Sequence, residues 1–361
     1  MSRTPLDDCF DQCERLTKRT AGNFYYSFLG LPTPQYRAMC ALYAFMRVTD
    51  DWGDEADRTI AQRIAALETW KRSLKEVLHP EWTLSPHHGL VQRPASHRDK
   101  LGGVEGDSSL EMTNWSDEAR MVLPAMRDVA IRFAIPHEHL FAVIDGVRSD
   151  LGGASEQASR TGTLARRDLN DAHDLSDGQE CPSYVVEPTC RFQTFEELNK
   201  YCYLVAGAVG LCCIHIWGFH GDEAVRRAID CGTAFQLTNI LRDVGEDADA
   251  GRIYLPAEDL ARFGVTIEDL MAHRYEDRFR SLMAYEVERT KSFYASAEHL
   301  LTNLEPLGQP IMKAMLQLYG GLLREIERCK FDIFSRHVSL PRWRKLWIAA
   351  DALIHQKLRR T

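Results

Sequence analysis

The sequence has no C-x-x-C pair, no glycine-rich phosphate loop, no alternating run that reads as a strand, and no excess of positive charge. Each absence removes a class of function. The ten cysteines (Cys9, Cys13, Cys40, Cys181, Cys190, Cys202, Cys212, Cys213, Cys231 and Cys329) are scattered, which argues against a zinc site or a disulfide framework. Without a P-loop or a similar cradle, nucleotide chemistry is disfavoured. With 52 acidic and 44 basic residues and a net charge of −8, nucleic acid is not expected as a partner. The N-terminal stretch MSRTPLDDCFDQCERL is acidic where a signal peptide would have a basic start and an apolar core, so a cytoplasmic protein is expected.

What is present is helical periodicity over most of 361 residues, with the 45% hydrophobic and 27% charged content of a soluble globular chain. Residues 5–19 read as an amphipathic helix. Asn23–Leu31 is an aromatic-rich turn, and Pro34 opens a helix over roughly 34–56. A further helix runs from about Thr59 to Leu78. At 81–115 Gly, Pro, Ser, His and charge replace the apolar period, as expected of a flexible insertion; His87 and His88 within it lack acidic or cysteine partners and read as loop residues. Helices resume at about Asp117–Phe133 and His137–Leu151, and a second insertion covers 152–190.

Tyr201–Phe219 is the most apolar segment and approaches the length of a membrane span. It reads as a buried core helix because Asn199 and Lys200 precede it, His215 interrupts it, and Ala206, Gly207, Ala208 and Gly210 lower its hydropathy. Those small residues leave room for a lipid chain. Beyond it, a helix starts at Ala257, a long amphipathic helix is expected from about Thr266 to Leu304, and another covers Ile311–Ser335. The basic, aromatic tail (Arg342, Trp343, Arg344, Lys345, Trp347) reads as a docked terminal helix, the alternative being a surface helix on anionic lipid. The chain is therefore expected to be all-α.

Two segments carry the chemistry. In GTAFQLTNILRDVGEDADAGRIYLP, residues 232–256, spacings of three, four and four place Gln236, Asn239, Asp243 and Asp247 on one helical stripe. In YAFMRVTDDWGD, residues 43–54, spacings of four, three and four align Tyr43, Arg47, Asp50 and Asp54. One such stripe is most simply a solvated polar face. Two Asp-x-x-x-Asp helices in one chain, each on an apolar segment, are better explained by a shared hard cation. Facing each other, the four aspartates could hold two or three Mg²⁺ with coordination positions left for substrate phosphates, and Arg47 and Arg242 could clamp the anion. A metal-bound diphosphate in an apolar, aromatic helical cavity points to allylic ionisation. Mg²⁺ then neutralises the leaving group, and faces such as Tyr43, Tyr201 or Phe24 stabilise the cation.

At these motifs the chain resembles the squalene/phytoene synthase family: ALYAFMRVTDDWGDE and FQLTNILRDVGEDADAGRIYLP match its two aspartate motifs, and YCYLVAGAVG and FDIFSRHV look like further family segments. The resemblance implies a single-domain bundle of the isoprenoid synthase type over 1–361, around a deep apolar channel, with insertions at 81–115 and 152–190. It implies head-to-head joining of two prenyl diphosphates through a cyclopropylcarbinyl diphosphate. By position, Asp50, Asp54, Asn239, Asp243 and Asp247 would bind Mg²⁺. Tyr43, Arg47, Arg242 and Tyr254 would contact or position diphosphate, and Tyr201 would line the site of the cation. Asn23, Phe24, Asp51 and Gln236 would help bind substrate; Asp51 is off the stripe, and Asn23 stands where relatives often have Ser.

Phrases such as RFGVTIEDL read closest to bacterial presqualene diphosphate synthases. The expected substrates are therefore two farnesyl diphosphates, with two geranylgeranyl diphosphates as the alternative and NADPH needed only if the reaction continues to squalene. A terpene cyclase would pair one Asp-rich motif with a different Asn/Ser/Glu motif, and a non-catalytic assembly factor would have lost aspartates; this chain has both motifs whole. Water-insoluble products imply peripheral contact at the inner membrane face and downstream isoprenoid enzymes as partners.

Overall fold

Helix starts follow local capping chemistry. The computed structural model describes residues 4–21, 25, 28–55, 57–84, 91–92, 117–151 and 189–341. Helix α1 (Pro5–Thr20) begins behind Thr4, whose hydroxyl accepts from the Asp7 N–H while Asp7 reaches back to the Thr4 backbone. Helix α2 (Thr33–Asp54) has proline in its first turn. Helix α3 (Ile60–Val77) repeats the capping box with Thr59 and Gln62. Helix α4 covers Asp117–Arg132, and α5 covers 137–151.

After the second insertion, Thr194 caps α6 (Phe195–Cys202), which passes through a π-helical turn, Tyr203–Gly207, into α7 (Ala208–Trp217). The longest helix, α8 (Glu223–Asp249), follows. Then come α9 (Ala257–Phe263), α10 (Ile267–Met271), α11 (Asp277–Glu298), a 3₁₀ turn at His299–Thr302 and α12 (Gln309–Arg328).

Two differences from the sequence reading have local causes. The helix expected from Thr266 to Leu304 is interrupted after Met271, because buried Asp269 caps the Thr266 backbone and accepts from Arg274 and Arg278, each at 2.9 Å, while His273 takes a positive φ of 51°. The final helix stops at Arg328 rather than Ser335, with Lys330 and Phe331 in the left-handed region. A two-residue antiparallel ladder, Thr83–Leu84 with Val91–Gln92, lies in the first insertion, where no strand was expected. The rest of both insertions (85–90, 93–115 and 152–188), with His87 and His88, and the tail 342–361 lie outside the described residues.

The helices form an all-α bundle in two groups. Helix α2 packs on α1, α3 and α4, whereas α8 packs on the π turn, α7, α10, α11 and α12; α2 also meets α7, which joins the groups. Phe45 stacks on Trp70 at 5.9 Å, and the Trp70 indole N–H donates to Thr49 Oγ1 at 3.0 Å, locking α3 to α2. Among the described residues one helical run, Phe195–Trp217, is apolar and long enough to cross a membrane. Here Leu198, Cys202, Ala208, Leu211, Cys212 and Ile214 are buried in the core, as expected of a core helix.

The small residues of this run serve two purposes. A Cβ on Gly232 of α8 would lie 2.6 Å from Gly207 N and 2.7 Å from Gly207 Cα, so these glycines allow the two backbones to touch. Ala206 and Gly210, by contrast, line an internal cavity.

Candidate active site

The two aspartate stripes sit at the C-terminal ends of α2 and α8. Deeper along the same helices, Tyr43 and Met46 of α2 and Gln236 and Asn239 of α8 line one cavity of about 330 Å³. Its remaining wall comes from the π turn, α7, α12, Phe28 and Leu300 of the 3₁₀ turn and is almost wholly apolar. Asn239 shares this cavity wall with Tyr319 of α12, and Tyr319 stacks on Phe235 at 4.4 Å. Polar groups thus gather at the aspartate end, above an aliphatic and aromatic channel.

Asp50 is accessible to solvent but stands in a concave wall. Burial by that wall, then the nearby Asp54, Asp51 and Asp150 carboxylates, push its pKa up to about 6 against the opposing Arg47. Burial likewise raises the pKa of Asp247, with Asp243 and Glu246 adding and Arg252 opposing. Crowded carboxylates of this kind are relieved by a cation. The donor set is carboxylate and amide oxygen, which suits Mg²⁺. At the rim Asp243, Glu246 and His337 present ligand atoms within 4.8 Å of one another, and His337 Nδ1 lies 2.9 Å from Glu246 Oε1.

The arginines are not free clamps. Arg242 is bidentate to its neighbour Asp243, at 2.7 and 2.5 Å. Arg47 pairs with Asp51 at 2.5 Å, so the off-stripe aspartate holds the on-stripe arginine. Arg252, which sequence reasoning left out, contacts Asp247 at 3.3 and 3.2 Å. To reach a diphosphate, Arg47 and Arg242 must exchange or share these partners.

The link between the motifs is a residue the sequence reading missed. Asp150, at the end of α5, accepts from the Tyr201 hydroxyl at 3.0 Å and pairs with Arg191. Arg191 also donates to Ser149 Oγ at 3.2 Å and to the Tyr254 hydroxyl at 3.5 Å. Its guanidinium lies 4.5 Å from the Tyr201 ring centre and 5.3 Å from that of Tyr254, and the two rings stack at 5.7 Å. Burial, then the Asp150 charge, raise the pKa of both tyrosines, so both hydroxyls stay protonated. Asp150 therefore touches the first motif electrostatically through Asp50 and the second through Tyr254 and Arg252.

Backbone fit fixes this arrangement. A Cβ on Gly53 would lie 2.5 Å from Val147, and one on Gly146 would lie 3.1 Å from the Leu204 backbone, so α5 is wedged between α2 and the π turn. Such turns recur at functional sites. Cys190 bridges to Ile253, which brings Arg191 beside Tyr254. Asn23 and Phe24 lie outside the described residues.

Among known families, the squalene/phytoene synthase model matches residues 17–344. A phytoene synthase from Arthrospira platensis is 30% identical over 360 residues, covering 95% of this chain and 93% of its own. A 15-cis-phytoene synthase from Synechococcus elongatus is 28% identical, covering 94% and 91%. In fold the chain is similar to a dehydrosqualene synthase, with a TM-score of 0.67, 22% identity and 98% of each chain covered. It is similar also to a squalene synthase from Alicyclobacillus acidocaldarius, with a TM-score of 0.63, 23% identity and 90% and 95% covered.

Proposed function

The chain belongs to the squalene/phytoene synthase family and is a prenyltransferase that joins prenyl diphosphates head to head, and from that premise we propose that it condenses two geranylgeranyl diphosphates in a Mg²⁺-dependent reaction. The observation that carries the reading is that both aspartate helices end over one apolar cavity they also line. The choice of the C20 substrate over two farnesyl diphosphates is favoured by the sequence relatives, which are named phytoene synthases; the fold neighbours named for squalene and dehydrosqualene synthesis are less than 25% identical and bear on fold alone.

Asp50, Asp54, Asp243 and Asp247, with Asn239 and Gln236 beside them, would hold the metal and its diphosphate. Bound there, Mg²⁺ supplies charge neutralisation for the departing diphosphate. The stacked Tyr201 and Tyr254 rings present π faces that favour an allylic cation. Their protonated hydroxyls, held by Asp150 and Arg191, are poor nucleophiles. The cavity below is apolar and keeps water from the hydrocarbon chains.

Joining two substrates releases one diphosphate and a proton and leaves a cyclopropylcarbinyl diphosphate. Rearrangement with loss of the second diphosphate and another proton gives a C40 polyene with a central conjugated triene and needs no reductant, whereas a squalene-type product requires hydride from NADPH.

The test is incubation with Mg²⁺ and either farnesyl or geranylgeranyl diphosphate, with and without NADPH, followed by identification of the lipid. A C40 product from geranylgeranyl diphosphate without NADPH is expected. Turnover of farnesyl diphosphate alone would return the assignment to the presqualene branch, and turnover of neither would refute it.

A further inference from the structure

The elements lining the cavity define its closed end. Helix α8 runs from the cavity's deep end at Ala228 to the aspartates, and α7 runs the opposite way, from the π turn beside the tyrosines down to Trp217. Leu300, from the 3₁₀ turn, and Ile311, at the start of α12, join Trp217 and Ala228 at that deep end.

Trp217 is 3% exposed and cannot retreat. A Cβ on Gly308 would lie 2.7 Å from Trp217 Cβ, 3.1 Å from Cγ and 3.2 Å from Cε3, so the backbone there buttresses the residue from behind. Helix α7 also ends at this position, with Gly218 at a φ of 86° and its carbonyl accepting from the Glu305 N–H at 3.0 Å. The buried Trp217 Nε1 has no acceptor among the described residues. An alkene π face against it would offset part of that cost.

The depth can be compared with the substrate. From Asn239 to Ala228 is eleven residues of α8, or about 16 Å at helical rise. An isoprene unit adds four carbon–carbon bonds of about 1.5 Å, hence about 5 Å when extended. Three extended units, about 15 Å, end just short of the floor; a fourth must fold against it.

We propose that Trp217 is the chain-length determinant of this enzyme, a rigid floor that contacts the fourth isoprene unit of a C20 chain and leaves a C15 chain untouched. The proposal rests on the prenyl-condensing reading above but does not require turnover to be tested. Removing the indole lengthens the channel and improves binding of the longer chain alone.

The experiment compares wild type, Trp217→Ala and Trp217→Leu by calorimetric titration, in Mg²⁺, with the unreactive S-thiolodiphosphates of farnesol and geranylgeraniol, alongside competition turnover with the two natural diphosphates. Both variants should shift the C20:C15 ratio of affinities towards C20, Ala by at least tenfold and Leu by less. The product ratio should follow. A binding ratio unchanged within twofold, or moved towards C15, in a variant that melts cooperatively overturns the proposal; Trp217→Leu carries the test if Trp217→Ala does not fold. Shifted binding without turnover of either diphosphate by wild type would support the floor and refute the reaction.

Discussion

The Tyr201 hydroxyl donates to Asp150 at 3.0 Å, and this contact ties the apolar helix run to the acidic end of the bundle. Asp150 also pairs with Arg191, whose side chain lies against both stacked tyrosines. Replacing Asp150 with Asn removes the charge but little volume. Turnover is expected to fall about 10²-fold, the scale for losing one pre-organised polar contact in an active site, and stability by about 1–3 kcal/mol because Arg191 loses its ionic partner. Tyr201→Phe keeps the ring stack and should lose less. Diphosphate release and thermal melts measure both effects; wild-type turnover in Asp150→Asn would reduce the network to a structural brace.

Asp243 is bound by Arg242 in this structure, so its removal frees the Arg242 guanidinium as well as deleting a carboxylate of the proposed metal site. Asp243→Ala should therefore retain its fold yet lose turnover by about 10³-fold or more, as expected when binding and charge neutralisation of the leaving group both fail. In thermal melts, inorganic diphosphate with Mg²⁺ should stabilise wild type by about 2.7 kcal/mol at a hundred times its dissociation constant and leave the variant unmoved. Equal stabilisation of both would show that Asp243 holds no metal.

The stripes were legible because a 3.6-residue period needs no tertiary information. Gln236, Asn239, Asp243 and Asp247 fall on one face of any α-helix. Asp150, Arg191 and Arg252 were not legible: each stands at a helix end or in a connection, and only the wedge of α5 between Gly53 and Leu204 brings Asp150 to the site. The available signal was weak: Asp150 is a carboxylate in the last turn of 137–151, a helix that also carries Glu138 and Asp145. The break after Met271 was hidden similarly. It contains no proline or glycine and is imposed by Asp269 with two arginines drawn to it. Small residues in Tyr201–Phe219 did announce room, but Gly207 uses it for a helix contact and Gly210 for the cavity, a division that sequence does not carry.

That helix contact gives a sharp stability prediction. With Gly232 opposed by the backbone of Gly207 at 2.6 Å, no side chain can move aside to admit a methyl group. Gly232→Ala should cost about 1–3 kcal/mol, the usual scale of overpacking, and should impair turnover because the displaced π turn carries the cavity wall. Gly251→Ala is a useful contrast: no atom lies within 4 Å of the added Cβ, so its cost comes from a φ of 73° alone. Melting temperatures of the two variants, with turnover for each, separate crowding from backbone strain; an unperturbed Gly232→Ala would mean that the π turn and α8 can part freely.

A buried carboxylate cluster away from the site sets an expected pH dependence. Glu286, 1% exposed, shares the Arg289 guanidinium with Asp259: Arg289 Nη1 lies 3.1 and 3.0 Å from the Glu286 oxygens and 2.7 Å from Asp259 Oδ2. Burial first, then Asp259, raise the Glu286 pKa to about 8 against the pull of Arg289. An unfolded glutamate titrates near 4.3. Between those values the folded chain keeps a proton that the unfolded chain has released, so the contribution is fully present below about pH 4.3 and is lost as pH rises through about 8. The slope is at most about 1.4 kcal/mol per pH unit. Glu286→Gln mimics the protonated form and should remove that slope while keeping α9 and α11 packed. Urea midpoints taken from about pH 5 to 8 should show wild type losing stability relative to the variant; parallel curves would mean that Glu286 is ionised throughout the folded state.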